Sequence, residues 1–273
     1  MRQFGILTAC VVLCVAGQAL AVDVDFSGYA IGDLTGQSAW TASGGVSAAA
    51  GATWSFDDGG NDGTAMVVGG DLGTAGSETS ASPYVSVTNG TGGNWGTYAR
   101  LDVEGVSDDG WWLAGIVRHS TTEGWAGLQL YRGGTELFGI GHAWDHSNYG
   151  MFGAGGDVDS DTAIDTETPA LLVAHYDGAG LTMWVNPDLT KTEAENTPNA
   201  IDDDAGDQSG IDNIRLRLGN ANYRDINPVM DVDNIYLGNE SPFGSATVPE
   251  PTALVLLGLG GVGVLLKRRR SQS

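Results

Sequence analysis

The hydrophobic and polar positions of this chain fall into short alternating runs, with no helical stripe between residues 22 and 247. Residues 111–118, Trp-Trp-Leu-Ala-Gly-Ile-Val-Arg, read as a strand, and 125–131 read as the next. Arg132-Gly133-Gly134-Thr135 is a tight-turn signal leading into a strand over 136–140. The clearest hairpin runs along 171–176, turns at Asp177-Gly178-Ala179-Gly180 and returns along 181–185. Strands over 214–218 and 232–237 close the domain, whereas the Gly-, Ala-, Ser- and Thr-rich stretch 41–97 is expected to include long loops. Side chains alternate between the two faces of a strand. Leu181, Met183 and Val185 therefore share one face, which has no polar member and is assigned to the interface between two sheets. Thr182 and Trp184 take the outer face, where Trp184 is partly covered or available to a sugar ring. The pattern predicts an all-β antiparallel sandwich of jelly-roll type.

Both ends break this pattern. Arg2, an apolar stretch over 6–15 and the small-x-small site Ala19-Leu20-Ala21 predict a secretory signal peptide, helical over residues 1–21 and cut before Val22. At the other end, Pro249-Glu250-Pro251 precedes an apolar run over 253–266 and the basic block Lys267, Arg268, Arg269, Arg270. The 14 apolar residues would make a helix of about 21 Å. The hydrocarbon core of a bilayer is about 30 Å thick, so this short membrane helix suits transient arrest at the inner membrane better than lasting anchorage. The expected organisation is a signal peptide at 1–21, a sandwich domain at 22–240, a linker at 241–248 and a sorting signal at 249–273.

The order Pro249-Glu250-Pro251, short apolar helix, basic terminus resembles a PEP-CTERM sorting signal. The resemblance implies export, removal of the tail by the membrane protease exosortase after signal peptidase has acted, and delivery to the cell surface or exopolysaccharide matrix. A second resemblance runs through the sandwich region. The stretch 26–40 with Phe26, Tyr29, Leu34, Gln37 and Trp40, then Phe138-Gly139-Ile140-Gly141-His142-Ala143-Trp144, Met183-Trp184-Val185-Asn186-Pro187 and Asp233-Asn234-Ile235-Tyr236-Leu237-Gly238, are similar to segments of the concanavalin A-like lectin/glucanase fold in its laminin-G-like form. This implies a binding or structural role, with exopolysaccharide as the expected partner.

Composition narrows the choices. Cys10 and Cys14 both lie in the signal segment, so the mature chain has no thiol chemistry and no disulfide. The stretch 22–247 carries a net charge of about −26. Nucleic acid, which is bound through basic surfaces, is excluded as a partner, and an anionic polymer is repelled unless divalent cations bridge the two.

The sequence holds no E-x-D-x-x-E strand motif of the kind that sets two carboxylates across a glycosidic bond, and no Gly-x-Ser-x-Gly. Glu104, Glu123 and Glu136 lie near predicted central strands without an acidic partner at suitable spacing. The chain is therefore read as non-catalytic. The alternative is a secreted polysaccharide hydrolase with an unrecognised carboxylate pair. No cofactor is demanded, but Asp157, Asp159 and Asp161 with Asp165 resemble the first half of a calcium loop. Thr162 replaces the glycine of such a loop and Thr168 the final acid; a solvated acidic loop is the competing reading. His142, Asp145 and His146 cluster in sequence, as a transition-metal site or as hydrogen-bonded surface groups. Sugar rings stack on exposed aromatic faces, and Trp144, Tyr149 and Trp184 are the candidates for that role.

Overall fold

The computed structural model describes residues 29–37, 46–57, 62–69, 72, 83–89, 96–144, 146–153, 155–219 and 227–244. The signal segment, the sorting tail, Trp40, Trp95 and Asp145 lie outside the described residues. In chain order the strands are β1 (Gly32–Asp33), β2 (Ser47–Ala48), β3 (Ser55–Asp57), β4 (Thr64–Val68), β5 (Tyr84–Thr88), β6 (Thr97–Glu104), β7 (Trp111–His119) and β8 (Trp125–Arg132). They continue with β9 (Thr135–His142), β10 (Asn148–Gly153), β11 (Val158–Ala163), β12 (Ala170–Tyr176), β13 (Leu181–Val185), β14 (Ala200–Asp202), β15 (Asn213–Gly219) and β16 (Val229–Gly238). Only a single 3₁₀ turn, Glu193–Glu195, interrupts the β structure of the described residues.

These strands form two antiparallel sheets. The first has the order β1-β4-β5-β16-β7-β12-β13-β14, and the second β11-β10-β9-β8-β15-β6-β2 with β3 also on β6. The all-β antiparallel sandwich expected from the sequence is the observed fold. Both hairpins predicted from turn chemistry are present. β8 and β9 pair with Arg132 opposite Thr135, across a turn in which Gly133 has φ 59°. β12 and β13 pair from Tyr176–Leu181 to Leu172–Val185, and the Asp177 carboxylate accepts hydrogen bonds from the turn amides of Ala179 and Gly180.

The core between the sheets is built by alternation. β7 sends in Trp111, Leu113 and Val117, β13 sends Leu181, Met183 and Val185, and β15 sends Ile214, Leu216 and Leu218. The opposite face of the first sheet is not bare. Trp112, Ala114, Ile116, Leu171, Val173, Trp184 and Tyr236 form a second apolar cluster there, capped by Leu72 and Phe243. Phe243 meets Trp184 edge-on at 5.1 Å and Trp112 at 5.6 Å, and the Trp184 indole N–H donates to the Asn196 carbonyl. Trp184 therefore lies on the outer face, as its register requires, but is buried (2% exposed). It is not available to a sugar, and this corrects the sequence expectation. The segment after β13 and the chain beyond β16 supply its cover.

One end of the main core is polar. His119 and His142, at the ends of β7 and β9, are both buried, with ring centroids 5.8 Å apart. Tyr149 packs against His119 at 5.9 Å. Neither ring nitrogen of His119, nor the Tyr149 hydroxyl, has a hydrogen-bond partner. Burial drives the His119 pKa down to about 3, with the neighbouring His142 adding to the effect. Burial also pushes the Tyr149 hydroxyl up to about 12.

Candidate functional site

The outer face of the second sheet differs from that of the first. The alternation that buries Ala126, Leu128 and Leu130 of β8 in the core turns Trp125, Gln129 and Tyr131 to the other side. On β15 the same rule turns out Asn213, Arg215 and Arg217, and on β9 it turns out Gly139, while a register shift between Leu130 and Tyr131 sets Glu136 opposite Tyr131 on the same outer side. Glycine shapes the floor. A Cβ at Gly139 would stand 2.6 Å from the Phe152 ring, and one at Gly219 would stand 2.5 Å from the Trp125 indole. Both rings can lie against bare backbone only because these positions lack side chains.

A polar network holds this face. The Tyr131 hydroxyl donates to Glu136 Oε2 at 3.1 Å and lies 3.0 Å from Gln129 Oε1. Arg217 Nη1 donates to Glu136 Oε2 at 3.0 Å, to Gln129 Oε1 at 3.4 Å and to the Tyr131 hydroxyl. The Arg217 guanidinium also sits 4.5 Å over the Trp125 ring. Arg215 is buried between two rings, 3.7 Å from Tyr131 and 4.6 Å from Tyr98. Burial lowers its pKa and pushes the Tyr131 phenol up to about 12, so Tyr131 is a neutral donor. The Tyr98 phenol is raised as well, by burial and by its hydrogen bond to Asp57.

Above this network lies an open groove of about 140 Å³, lined by Trp125, Gln129, Glu136, Trp144, Phe152 and Arg217. It continues past Glu136, Trp144 and Phe152 to Asp157. Trp144 is 55% exposed, and its ring stands 6.0 Å from Trp125 at 43°. Of the three aromatic residues expected to meet a sugar, the structure brings only Trp144 to an open surface. Tyr149 is a core residue at 2% exposure, packed on His119. Glu136, Gln129, Arg217 and Trp125 were not recognised as a set. Their signal was the outward parity of β8 and β15, legible only once the register between those strands is known.

The expected calcium loop is instead β11, an edge strand. Asp159 and Asp161 stand two residues apart along it, a rise of roughly 7 Å. A calcium ion collects its oxygens at about 2.3–2.6 Å, and these carboxylates turn to different partners: Asp159 to His146 Nδ1 at 2.6 Å and Asp161 to Asn199 Nδ2 at 2.9 Å. Asp165 closes a turn by accepting from the Glu167 amide. Among the described residues no three His, Cys, Asp or Glu side chains are placed to hold a metal ion. Acids on β11 instead put charge on a sheet edge, which discourages pairing with another chain.

Residues 247–270 match the model of the PEP-CTERM protein-sorting motif. The chain thus carries the signal of an exported, exosortase-processed protein on a β-sandwich. No curated protein matches it. Among solved structures, it is similar to "Cellulose induced protein, Cip1" at 12% identity and TM-score 0.47, over 71% of this chain and 94% of that one. It is similar at 8% identity and TM-score 0.48 to botulinum neurotoxin type C, whose cell entry is dependent upon interaction with two ganglioside molecules, over 77% of this chain and 47% of that one. The alginate lyase AlyC3 is similar at 7% identity and TM-score 0.40, over 57% and 75% of the two chains. Likenesses this distant bear on no ligand or activity of this chain. No helix of the described residues is long and apolar enough to cross a membrane.

Proposed function

We propose that this is a non-catalytic glycan-binding protein of the cell surface or exopolysaccharide matrix, using the groove on the outer face of its second sheet. The observation that carries the reading is Trp144, a large indole left 55% exposed beside a groove floored by Trp125 and Phe152 and edged by Glu136 and Arg217. Stacking of a sugar on an aromatic face, with hydroxyls meeting fixed polar groups, is what such a surface offers. Trp144→Ala is expected to weaken binding of matrix oligosaccharide at least about tenfold, which is about 1.4 kcal/mol, while leaving the thermal midpoint unchanged. Calorimetric titration alongside a melt measures both, and unaltered affinity would remove the groove from consideration.

The route to that location is signal-peptide removal at 1–21 by signal peptidase, transient insertion of 253–266 in the inner membrane, and cleavage by exosortase near Pro249-Glu250-Pro251. Mass spectrometry of protein from the matrix fraction is expected to find a C-terminus near residue 250. Intact chains ending at Ser273 would identify the segment as a lasting anchor.

A polysaccharide hydrolase is the second reading, favoured by one observation: Glu136 and Asp157 border the same stretch of groove. Against it, the Glu136 carboxylate is already engaged by Arg217 and Tyr131. A glycosidase needs both carboxyls at the scissile bond. Release of reducing ends by the wild type, lost in Glu136→Gln, would establish that reading.

A further inference from the structure

We infer that the groove selects an uncharged saccharide and rejects uronates; this rests on the glycan-binding reading above and names its ligand class. The argument comes from where the cations are. Five of the six described Lys and Arg side chains lie within ion-pair distance of an acid: Arg100 with Asp102, Arg118 with Asp231, Arg132 with Asp207, Lys191 with Asp188 and Arg217 with Glu136. The sixth, Arg215, is enclosed between the rings of Tyr98 and Tyr131 and does not line the groove. Among the described residues, Arg217 is thus the single cation lining the groove. Its Nη1 is shared among Gln129, Tyr131 and Glu136, and its guanidinium plane rests on Trp125.

A sugar carboxylate entering the groove meets Glu136 and Asp157 and one guanidinium whose charge is already matched. To gain Arg217 it must compete with Glu136 for a single charge, which sets a second carboxylate beside one that is partly buried. The whole molecule opposes it as well, since the stretch 22–247 carries a net charge of about −26. A neutral hexose meets no such penalty. Its hydroxyls donate to Asp157, and its C–H face stacks on Trp144. A hexosamine gains little more, because Glu136 is neutralised by Arg217 and Asp157 is left as a single exposed charge.

The test is calorimetric titration of the full chain with three oligosaccharide series of equal length, one of neutral hexoses, one of hexuronates and one of hexosamines, at low and at high salt. The neutral series is expected to bind, with affinity nearly independent of salt, and the hexuronates at least tenfold more weakly. Asp157→Asn is expected to narrow that gap. Equal or tighter binding of the hexuronates, removed by Trp144→Ala, would overturn the ligand class while leaving the groove as the site. Hexosamines binding more than tenfold tighter than neutral hexoses, with a steep salt dependence, would overturn it too. Failure of all three series, or binding that Trp144→Ala leaves intact, would instead overturn the site itself.

Discussion

Met183→Asp abolishes cooperative folding. Met183 has 0% exposure, lies between the sheets, and pairs with Ala174 and Ala200 on the neighbouring strands. A carboxylate there has no cation to meet, and an isolated charge in an apolar interior costs several kcal/mol even after relaxation. That is comparable with the whole stability of a domain, about 5–15 kcal/mol. One residue along, Trp184→Ala is expected to fold but lose about 3–5 kcal/mol, since its indole is buried beneath Phe243 and against Trp112. Denaturant titration followed by near-UV circular dichroism separates the two outcomes. A native spectrum for Met183→Asp would mean that the assigned faces of β13 are wrong.

The second large effect is loss of stability in mild acid. His119 is neutral in the folded state, with its pKa depressed from 6.5 to about 3. Between those values the unfolded chain binds a proton that the folded chain does not, so stability rises with pH across the interval and falls as the solution is acidified. The contribution is complete above about pH 6.5 and is lost by about pH 3, a total of ~5 kcal/mol at 1.36 kcal/mol per pH unit. Carboxylates whose pKa is held down by turn and ion-pair hydrogen bonds, Asp207 at about 2 among them, lose their share at lower pH. His119→Phe removes both unsatisfied nitrogens with little change of volume. It is expected to leave neutral-pH stability equal or higher and to flatten the slope between pH 6.5 and 4. An unchanged slope in that variant would assign the acid sensitivity to other groups.

The strands were legible because their signals are local. The Gly133-Gly134 turn, the Asp177 turn and the parity of Leu181, Met183 and Val185 each depend on neighbours in sequence, and each appears in the structure as expected. The fate of Trp184 was not local. Its face follows from alternation, but its cover comes from Phe243 and the chain around Asn196, and nothing in residues 181–185 announces them. Asp157, Asp159 and Asp161 show the converse failure. Alternating acids suit a metal loop and an edge strand equally well, and only the pairing of β11 with β10 distinguishes the two. The groove was least legible of all. Gln129, Glu136 and Arg217 come from three strands that are adjacent only through the β9-β8-β15 order of the second sheet, and nothing local to Gly139 or Gly219 announces that these positions make room for Phe152 and Trp125.

The most direct test of the central claim is to map, by amide and indole chemical shifts, where a neutral matrix oligosaccharide touches the protein. The account predicts shifts confined to Trp144, Trp125 and the outer positions of β8, β9 and β15, with the Trp184 and Trp112 signals unmoved. Shifts centred instead on the first sheet, around Phe243 and Trp184, would contradict it.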